Sequence, residues 1–388
     1  MCVVNQTGPN SSETDALKAR IKLFSIVIID PALFQENERT APEEADKQFI
    51  DLGPLQCEAG GHLASLTVAY QTWGKLNSEA SNAILICHAL TGDSNVVGWW
   101  DRLVGPGRPI DTNRYFVIGS NALGGCQGTT GPSSLSEGGV PFAVRFPVIT
   151  VGDLVEVQAM LMDHLGISTL HMVAGGSMGG MQALEWSVRF PTRVKNVFIT
   201  ASCAAHTAMQ IGFNEAARQA IMRDPRWQGG YYAPDEGPVG GLCVARMIGH
   251  LSFLSEAAFE SKFARRYQDK SQPSFQLETE FQVESYLSYQ GEKFTKRFDA
   301  NSLLYLTRAI DYFEIKDLSA AQARFLFISF KSDWLYPSHQ SEALFFMAQQ
   351  AGLEAEYFDI DLPYGHDAFL LDGELQGAKV RAFLDRAE

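Results

Sequence analysis

The sequence predicts an α/β fold: a mostly parallel sheet, covered by helices on both faces and interrupted by one long helical insertion. Three observations predict it. Apolar runs such as Ala83-Ile84-Leu85-Ile86-Cys87 are continuous, the pattern of a strand buried on both faces. Such runs alternate with helical stretches along most of the chain, as crossover connections between parallel strands require. One run, Leu170-His171-Met172-Val173-Ala174, feeds directly into the glycine-rich turn Gly175-Gly176-Ser177-Met178-Gly179-Gly180 and then into a helical stretch.

Taken in order, residues 1–45 are polar around one apolar segment, Leu23 to Ile29, and read as a poorly ordered extension. That segment is too short to span a bilayer, and no small-residue cleavage site suggests a signal peptide. From Phe49 the texture changes. Leu63 to Tyr70 has the alternation of a strand, and Ala83 to Cys87 and Tyr115 to Gly119 read as buried strands. Leu154, Val157, Leu161 and Leu165 recur at helical spacing ahead of the strand at 170–174. A helix from Met178 to Arg189 is closed by Pro191, and Val194 to Ile199 is the next strand. Arg324 to Ser329 and Ala355 to Ile360 are the last strands, each followed by a helix. Between the strands at 194–199 and 324–329, from Ser202 to about Leu318, strand-like runs give way to helical segments and aromatics. The chain therefore divides into an extension over 1–45, a core over 46–202, a helical lid over 203–318 and a returning core segment over 319–388.

Composition narrows the function. With 388 residues, 46% hydrophobic, the chain has material for a sizeable core. Its 31 basic and 45 acidic residues give a net charge of −14, which argues against a nucleic-acid partner. The six cysteines are widely spaced with no Cys-x-x-Cys pair, so reduced thiols and a cytoplasmic location are expected. No His and Cys spacing suggests a metal site.

The turn at 175–179 is Gly-x-Ser-x-Gly between strand and helix, the setting of a nucleophile elbow. The serine of an elbow sits on a strained backbone, and glycine two residues to either side avoids a clash. A serine hydroxyl becomes an effective nucleophile only beside a base that is itself oriented by a third group. Of the eight histidines, His366 follows the last strand directly, at the sheet end where α/β sites assemble. His339, placed at a helix start, ranks behind it, and His164, His171 and His250 lie elsewhere. Asp333 lies just past the strand over 324–329, whereas Asp359 and Asp361 sit in or at the end of the next strand. The order Ser177, Asp333, His366 is that of α/β-hydrolases. Two backbone N–H groups are needed for the oxyanion: Met178, directly after the serine, and Leu90, in the loop after Ala83 to Cys87. His88 in that loop reads as a residue that holds the loop's shape.

With these pieces in place, the chain resembles the homoserine O-acyltransferases of the α/β-hydrolase fold. The resemblance rests on Cys87-His88-Ala89-Leu90-Thr91-Gly92-Asp93, Gly98-Trp99-Trp100, Asn121-Ala122-Leu123-Gly124-Gly125-Cys126 and Gly128-Thr129-Thr130-Gly131-Pro132-Ser133-Ser134. It continues through Gly175 to Gly180, Phe281 to Leu287, Arg297 to Ser302 and Gly365-His366-Asp367-Ala368-Phe369-Leu370, and so spans about residue 49 to the end. It implies a ping-pong transfer in which Ser177 takes an acyl group from acyl-CoA and passes it to L-homoserine. The form of residues 121–132 looks more like the acetyl-transferring members, so acetyl-CoA is the implied co-substrate, with no permanently bound cofactor. Arg246 and Asp367 match the positions that bind the amino-acid acceptor, and a zwitterion does need a cation and an anion. The family further implies methionine biosynthesis and a homodimer, with small molecules and no membrane or nucleic acid as partners. Succinyl-CoA as donor, L-serine as acceptor, a plain ester hydrolase and a non-catalytic binding protein are the alternatives. One departure bears on the acceptor: where the family commonly has Thr-Tyr, this chain has Ser252-Phe253.

Overall fold

The computed structural model describes residues 45–233 and 235–386, so the extension expected over 1–45 lies outside the described residues up to residue 44. The main sheet has eight strands: β1 (Gln48–Asp51), β2 (Thr67–Trp73), β3 (Ala83–Cys87), β4 (Phe116–Ser120), β5 (Leu170–Gly176), β6 (Val194–Thr200), β7 (Arg324–Phe330) and β8 (Ala355–Ile360). Their order across the sheet is β1-β2-β4-β3-β5-β6-β7-β8. β2 pairs antiparallel with β1 and with β4, and every later pairing is parallel. This is the mostly parallel, helix-flanked sheet with an inserted helical segment that the sequence predicts.

Alternation along the strands explains the two covered faces. In β5, Val173 joins the core beneath α1 (Val151–His164) and α2 (Met178–Arg189), where Leu154, Leu161, Met181 and Leu184 are buried. Its neighbours Met172 and Ala174 point the other way, into a second core built on Trp100, Phe198, Phe369 and Phe383. The start of α1 is fixed locally: Thr150 Oγ1 accepts from the Asp153 N–H at 3.0 Å, and Asp153 accepts from the Thr150 N–H at 2.8 Å. Such a reciprocal cap satisfies two N–H groups that a helix start leaves open.

The stretch from Leu63 to Tyr70 departs from the sequence reading. It is divided between two sheets: His62–Leu63 pairs with Leu55–Gln56, and β2 begins only at Thr67. Consecutive exposed residues, Ala64 and Ser65, break the alternation and let the chain change sheets.

The strand order reverses between β3 and β5, since β4 lies on the far side of β3. In α/β sheets such a reversal opens a crevice at the carboxyl ends of the strands. Between β6 and β7 the chain leaves the sheet and forms α3 (Ala208–Met222), α4 (Val239–Phe253), α5 (Glu256–Lys262), α6 (Gln282–Thr295) and α7 (Ala300–Tyr312). The two ends of this excursion are stitched together, with the Ile315 N–H donating to Ala204 O at 2.9 Å and Ala205 bridging Glu314. After β7 come α8 (Ser338–Gln350), then β8 and finally α9 (Leu375–Asp385), whose Val380, Phe383 and Leu384 close the second core. Among the described residues, no single helix is long and apolar enough to cross a membrane.

Candidate active site

The turn from β5 to α2 places Ser177 at φ 56°, ψ −126°, a strained conformation for a residue with a Cβ. The neighbours make room for it. A Cβ on Gly175 would lie 2.3 Å from the Gly179 backbone, and one on Gly179 would lie 2.0 Å from Cys87 O. The turn is held from β6, because the Ser177 N–H donates to Thr200 O at 3.1 Å and Ser202 Oγ donates to Ser177 O at 2.8 Å. Strain of this kind persists only where the surroundings enforce it.

The other groups arrive from the last two parallel strands. Asp333 follows β7 and is almost wholly buried. One of its oxygens accepts from the Leu335 and Tyr336 N–H groups, at 3.0 and 2.8 Å, and the other meets His366 Nδ1 at 2.7 Å. The carboxylate is thereby fixed, and His366 presents its remaining nitrogen as an acceptor. Ser177 and His366 line one cavity of about 230 Å³ at the strand ends, under the lid.

The remaining histidines and acids lie elsewhere. His339 is exposed in the first turn of α8, and His164 is exposed at the end of α1. His171 stacks on Tyr115 at 5.3 Å, inside the sheet. Asp359 accepts from Ser329 and Ser338, and Asp361 pairs with Lys331 at the surface.

Leu90 lines the same cavity as Ser177, and Met178 opens α2 directly after the nucleophile. The Leu90 loop is pinned by His88, whose Nε2 accepts from the Ala122 N–H at 3.0 Å and whose Nδ1 lies 2.7 Å from Ala89 O. With Nδ1 donating and Nε2 accepting, both ring nitrogens are used for loop shape.

From the lid, α4 brings Arg246, His250, Ser252 and Phe253 to the cavity wall, where Asp367 also lies. Arg246 donates to Thr91 Oγ1 at 3.3 Å, and its guanidinium lies over the rings of Phe294 and Phe253, at 4.8 and 5.6 Å. Among the described residues its Nε is enclosed without a partner. Burial, with Arg297 adding to it, pushes the guanidinium down to about 10, so it stays charged at neutral pH. Burial pushes the Asp367 carboxyl up to about 6, against the pull of His366 and Arg246. His250 is pushed down to about 3 by burial and by the charges of Arg246, Lys262 and Arg297, and its Nδ1 meets the Tyr286 hydroxyl at 3.2 Å. Ser252 turns back onto Gly249 O at 2.8 Å, which leaves the Phe253 ring, 6.2 Å from that of His366, as the apolar part of this wall. Among the described residues, no group of His, Cys, Asp and Glu is placed to hold a metal.

Sequence reasoning passed over Tyr336 and His206. Tyr336 stacks on His366 at 4.8 Å and lines the cavity beside Ser177, while His206 Nε2 lies 2.7 Å from the Tyr336 hydroxyl. The spacing of Tyr336, just after Asp333, was the one available signal. His206 had none, because its partners are distant in the chain.

The alpha/beta hydrolase fold family matches this sequence over residues 82–372. A homoserine O-acetyltransferase from Solidesulfovibrio magneticus is 48% identical over 374 residues, covering 90% of this chain and 94% of the relative. The crystal structure of homoserine O-acetyltransferase from Bacillus anthracis superposes with a TM-score of 0.83 at 31% identity, covering 89% of this chain and 99% of that one. Esterase E22 superposes with a TM-score of 0.82 at 27% identity, covering 88% of this chain and 100% of that one.

Proposed function

We propose a reaction from one premise: this chain belongs to the homoserine O-acetyltransferase family of the alpha/beta hydrolase fold. On that reading the enzyme moves an acetyl group from acetyl-CoA to the side-chain hydroxyl of L-homoserine, through an acetyl ester on Ser177. The step belongs to methionine biosynthesis, and the enzyme works as a cytoplasmic homodimer with no permanently bound cofactor.

In the first half, Ser177 Oγ attacks the thioester carbonyl while His366 takes its proton. The Leu90 and Met178 N–H groups receive the oxyanion, and CoA leaves as the thiol with the proton from His366. In the second half, Arg246 holds the carboxylate of homoserine and Asp367 its ammonium. His366 takes the proton of the acceptor hydroxyl, which attacks the ester, and returns a proton to Ser177 as the intermediate collapses. Asp333 keeps the imidazole in one tautomer throughout.

The observation that carries this reading is one cavity holding Ser177 and His366 together with a cation and an acid, Arg246 and Asp367. The Nε of Arg246, enclosed and unpartnered among the described residues, supports a ligand there. A simple ester would have no use for that pair. The likeness to esterase E22 favours one second reading, hydrolysis, which shares the acylation half and differs only in the acceptor.

The test is a panel of acetyl-CoA and succinyl-CoA, each with L-homoserine, L-serine or no acceptor. The reading expects the highest kcat/KM for acetyl-CoA with homoserine, and slow CoA release without an amino acid. Fast release without an acceptor would establish the hydrolase instead.

A further inference from the structure

A hydrogen bond and a stacked ring hold the imidazole of His366. Its Nδ1 meets Asp333 at 2.7 Å, which fixes one edge of the ring but leaves its plane free to turn, because the χ2 torsion of histidine is broad. Tyr336 sets that plane: its ring lies within 21° of the imidazole at a centroid distance of 4.8 Å. Phe369 closes in from another side, at 5.3 Å and 62°.

Tyr336 is itself pinned at both ends. Its backbone N–H donates to Asp333 at 2.8 Å, the carboxylate that also holds His366. Its hydroxyl, at the far end of a buried ring, meets His206 Nε2 at 2.7 Å. His206 Nδ1 in turn meets Asp311 at 3.0 Å, and Asp311 also accepts from Asn214 and Arg218, each at 2.7 Å. Burial alone would raise the Asp311 carboxyl, but these three donors hold it below its ordinary value, so the anion keeps the His206 proton at Nδ1. A neutral imidazole protonated at Nδ1 offers a lone pair at Nε2, and the Tyr336 hydroxyl donates to it. The proton of Ser177 takes no part in this chain and stays available to His366.

We infer that Tyr336, His206 and Asp311 are positioning residues for the catalytic base: the His206 and Asp311 pair anchors the Tyr336 hydroxyl, and the anchored ring holds the His366 imidazole in the plane needed for proton transfer. This rests on the reading of Ser177 as nucleophile and His366 as its base. Two observations set the arrangement apart from ordinary core packing. The anchor is charged and buried, with the side chains of His206, Asp311 and Arg218 only 2, 4 and 3% exposed, although apolar packing would hold a ring without the cost of desolvating ions. It also ties the base to both ends of the lid, since His206 precedes α3, Asp311 lies in the last turn of α7 and Tyr336 follows β7.

The experiment is the acylation burst with 4-nitrophenyl acetate, an activated ester that needs the nucleophile and base but neither CoA nor an amino acid. It is read as nitrophenolate release and as the acetylated Ser177 peptide by mass spectrometry. Tyr336→Phe keeps the stacked ring and deletes its anchor. His206→Asn keeps an amide where Nδ1 meets Asp311 and removes the group that meets Tyr336. Each should slow acylation by roughly three- to tenfold, the worth of one net hydrogen bond, with the half-saturating ester concentration unchanged. Because both cut the same link, the double variant should be no slower than the slower single one. His206→Gln, whose amide oxygen can accept from Tyr336, should stay within about twofold of wild type. Additive losses in the double variant overturn the inference, because two independent packing defects give that result, and so does a wild-type rate in Tyr336→Phe. Should His206→Asn fail to fold, His206→Gln and Tyr336→Phe carry the test: a fast first and a slow second support the inference, and equal rates overturn it. Wild-type protein that shows no burst, or is acetylated at a residue other than Ser177, would instead remove the assignment of nucleophile and base, before any variant is compared.

Discussion

Arg246, on a lid helix, donates to the hydroxyl of Thr91 at 3.3 Å, and Thr91 belongs to the loop that carries Leu90. Arg297 donates to the carbonyl oxygen of the same residue at 3.0 Å. Two lid arginines thus grip the loop proposed to supply one oxyanion donor. The cation assigned to the acceptor therefore also bears on the geometry of the acylation step.

The first prediction concerns the triad. Ser177→Ala should leave no acetyl-enzyme and lower turnover by several orders of magnitude. Asp333→Asn should cost roughly 10⁴ in kcat, because the imidazole is then held in the wrong tautomer. His366→Ala should be at least as damaging, and His339→Ala, on the exposed face of α8, should be silent. Steady-state kinetics on the four variants decides it, and a larger loss from His339→Ala would displace His366 as the base.

Much of this was legible in the sequence because it is local. A continuous apolar run is a buried parallel strand wherever it lies, and β3 and β8 have the bounds their composition suggests. The elbow was legible for the same reason, since its strain is relieved by glycines two residues away. His366 and Asp333 were readable from their places just past strand ends. What could not be read depends on contacts between segments far apart in the chain. His206 meets Asp311 across 105 positions and Tyr336 across 130. The strand expected over Leu63 to Tyr70 failed for a related reason: its alternation is local, but its two halves find partners in different sheets.

Arg246→Ala should raise the KM for homoserine roughly ten- to a hundredfold, the expected loss of a charged hydrogen bond. The burst of CoA release should persist at a reduced rate, because Thr91 loses one of its two arginine contacts. Rapid-quench measurement of both half-reactions checks this, and equal losses in the two halves would argue against an acceptor role.

The pH dependence of acceptor binding should follow Asp367. Burial raises its carboxyl to about 6, so the group is an anion above that pH and neutral below it. The ammonium of the amino acid stays charged across this range, so attraction is present above about pH 6 and lost as the pH falls through it. The KM for homoserine should therefore rise toward about tenfold per pH unit on the acid side. Asp367→Asn should raise that KM at every pH and flatten its pH dependence, while the acylation half keeps its own profile. KM measured against pH in both proteins tests the assignment, and an unchanged slope in the variant would refute it.

Phe253→Tyr should sharpen the choice between homoserine and serine. The acceptors differ by one methylene, which in an apolar contact discriminates by only about ten- to two-hundredfold. Phe253 supplies such a contact, with its ring 6.2 Å from that of His366 and beneath the Arg246 guanidinium. It has no hydroxyl to register the acceptor against the base, and Ser252 has turned its own hydroxyl back onto Gly249. A tyrosine at this position would reach further into the cavity with a donor beside Arg246 and Asp367. The longer acceptor should then gain a hydrogen bond while serine, bound by the same charged groups, stops short of it. A gain of roughly five- to tenfold in the ratio of kcat/KM for homoserine over serine is expected, the value of one net hydrogen bond. The ratio measured for both proteins with acetyl-CoA checks it. A fall in the ratio would mean that the Phe253 ring, by excluding water and packing on the methylenes of homoserine, is itself the source of discrimination.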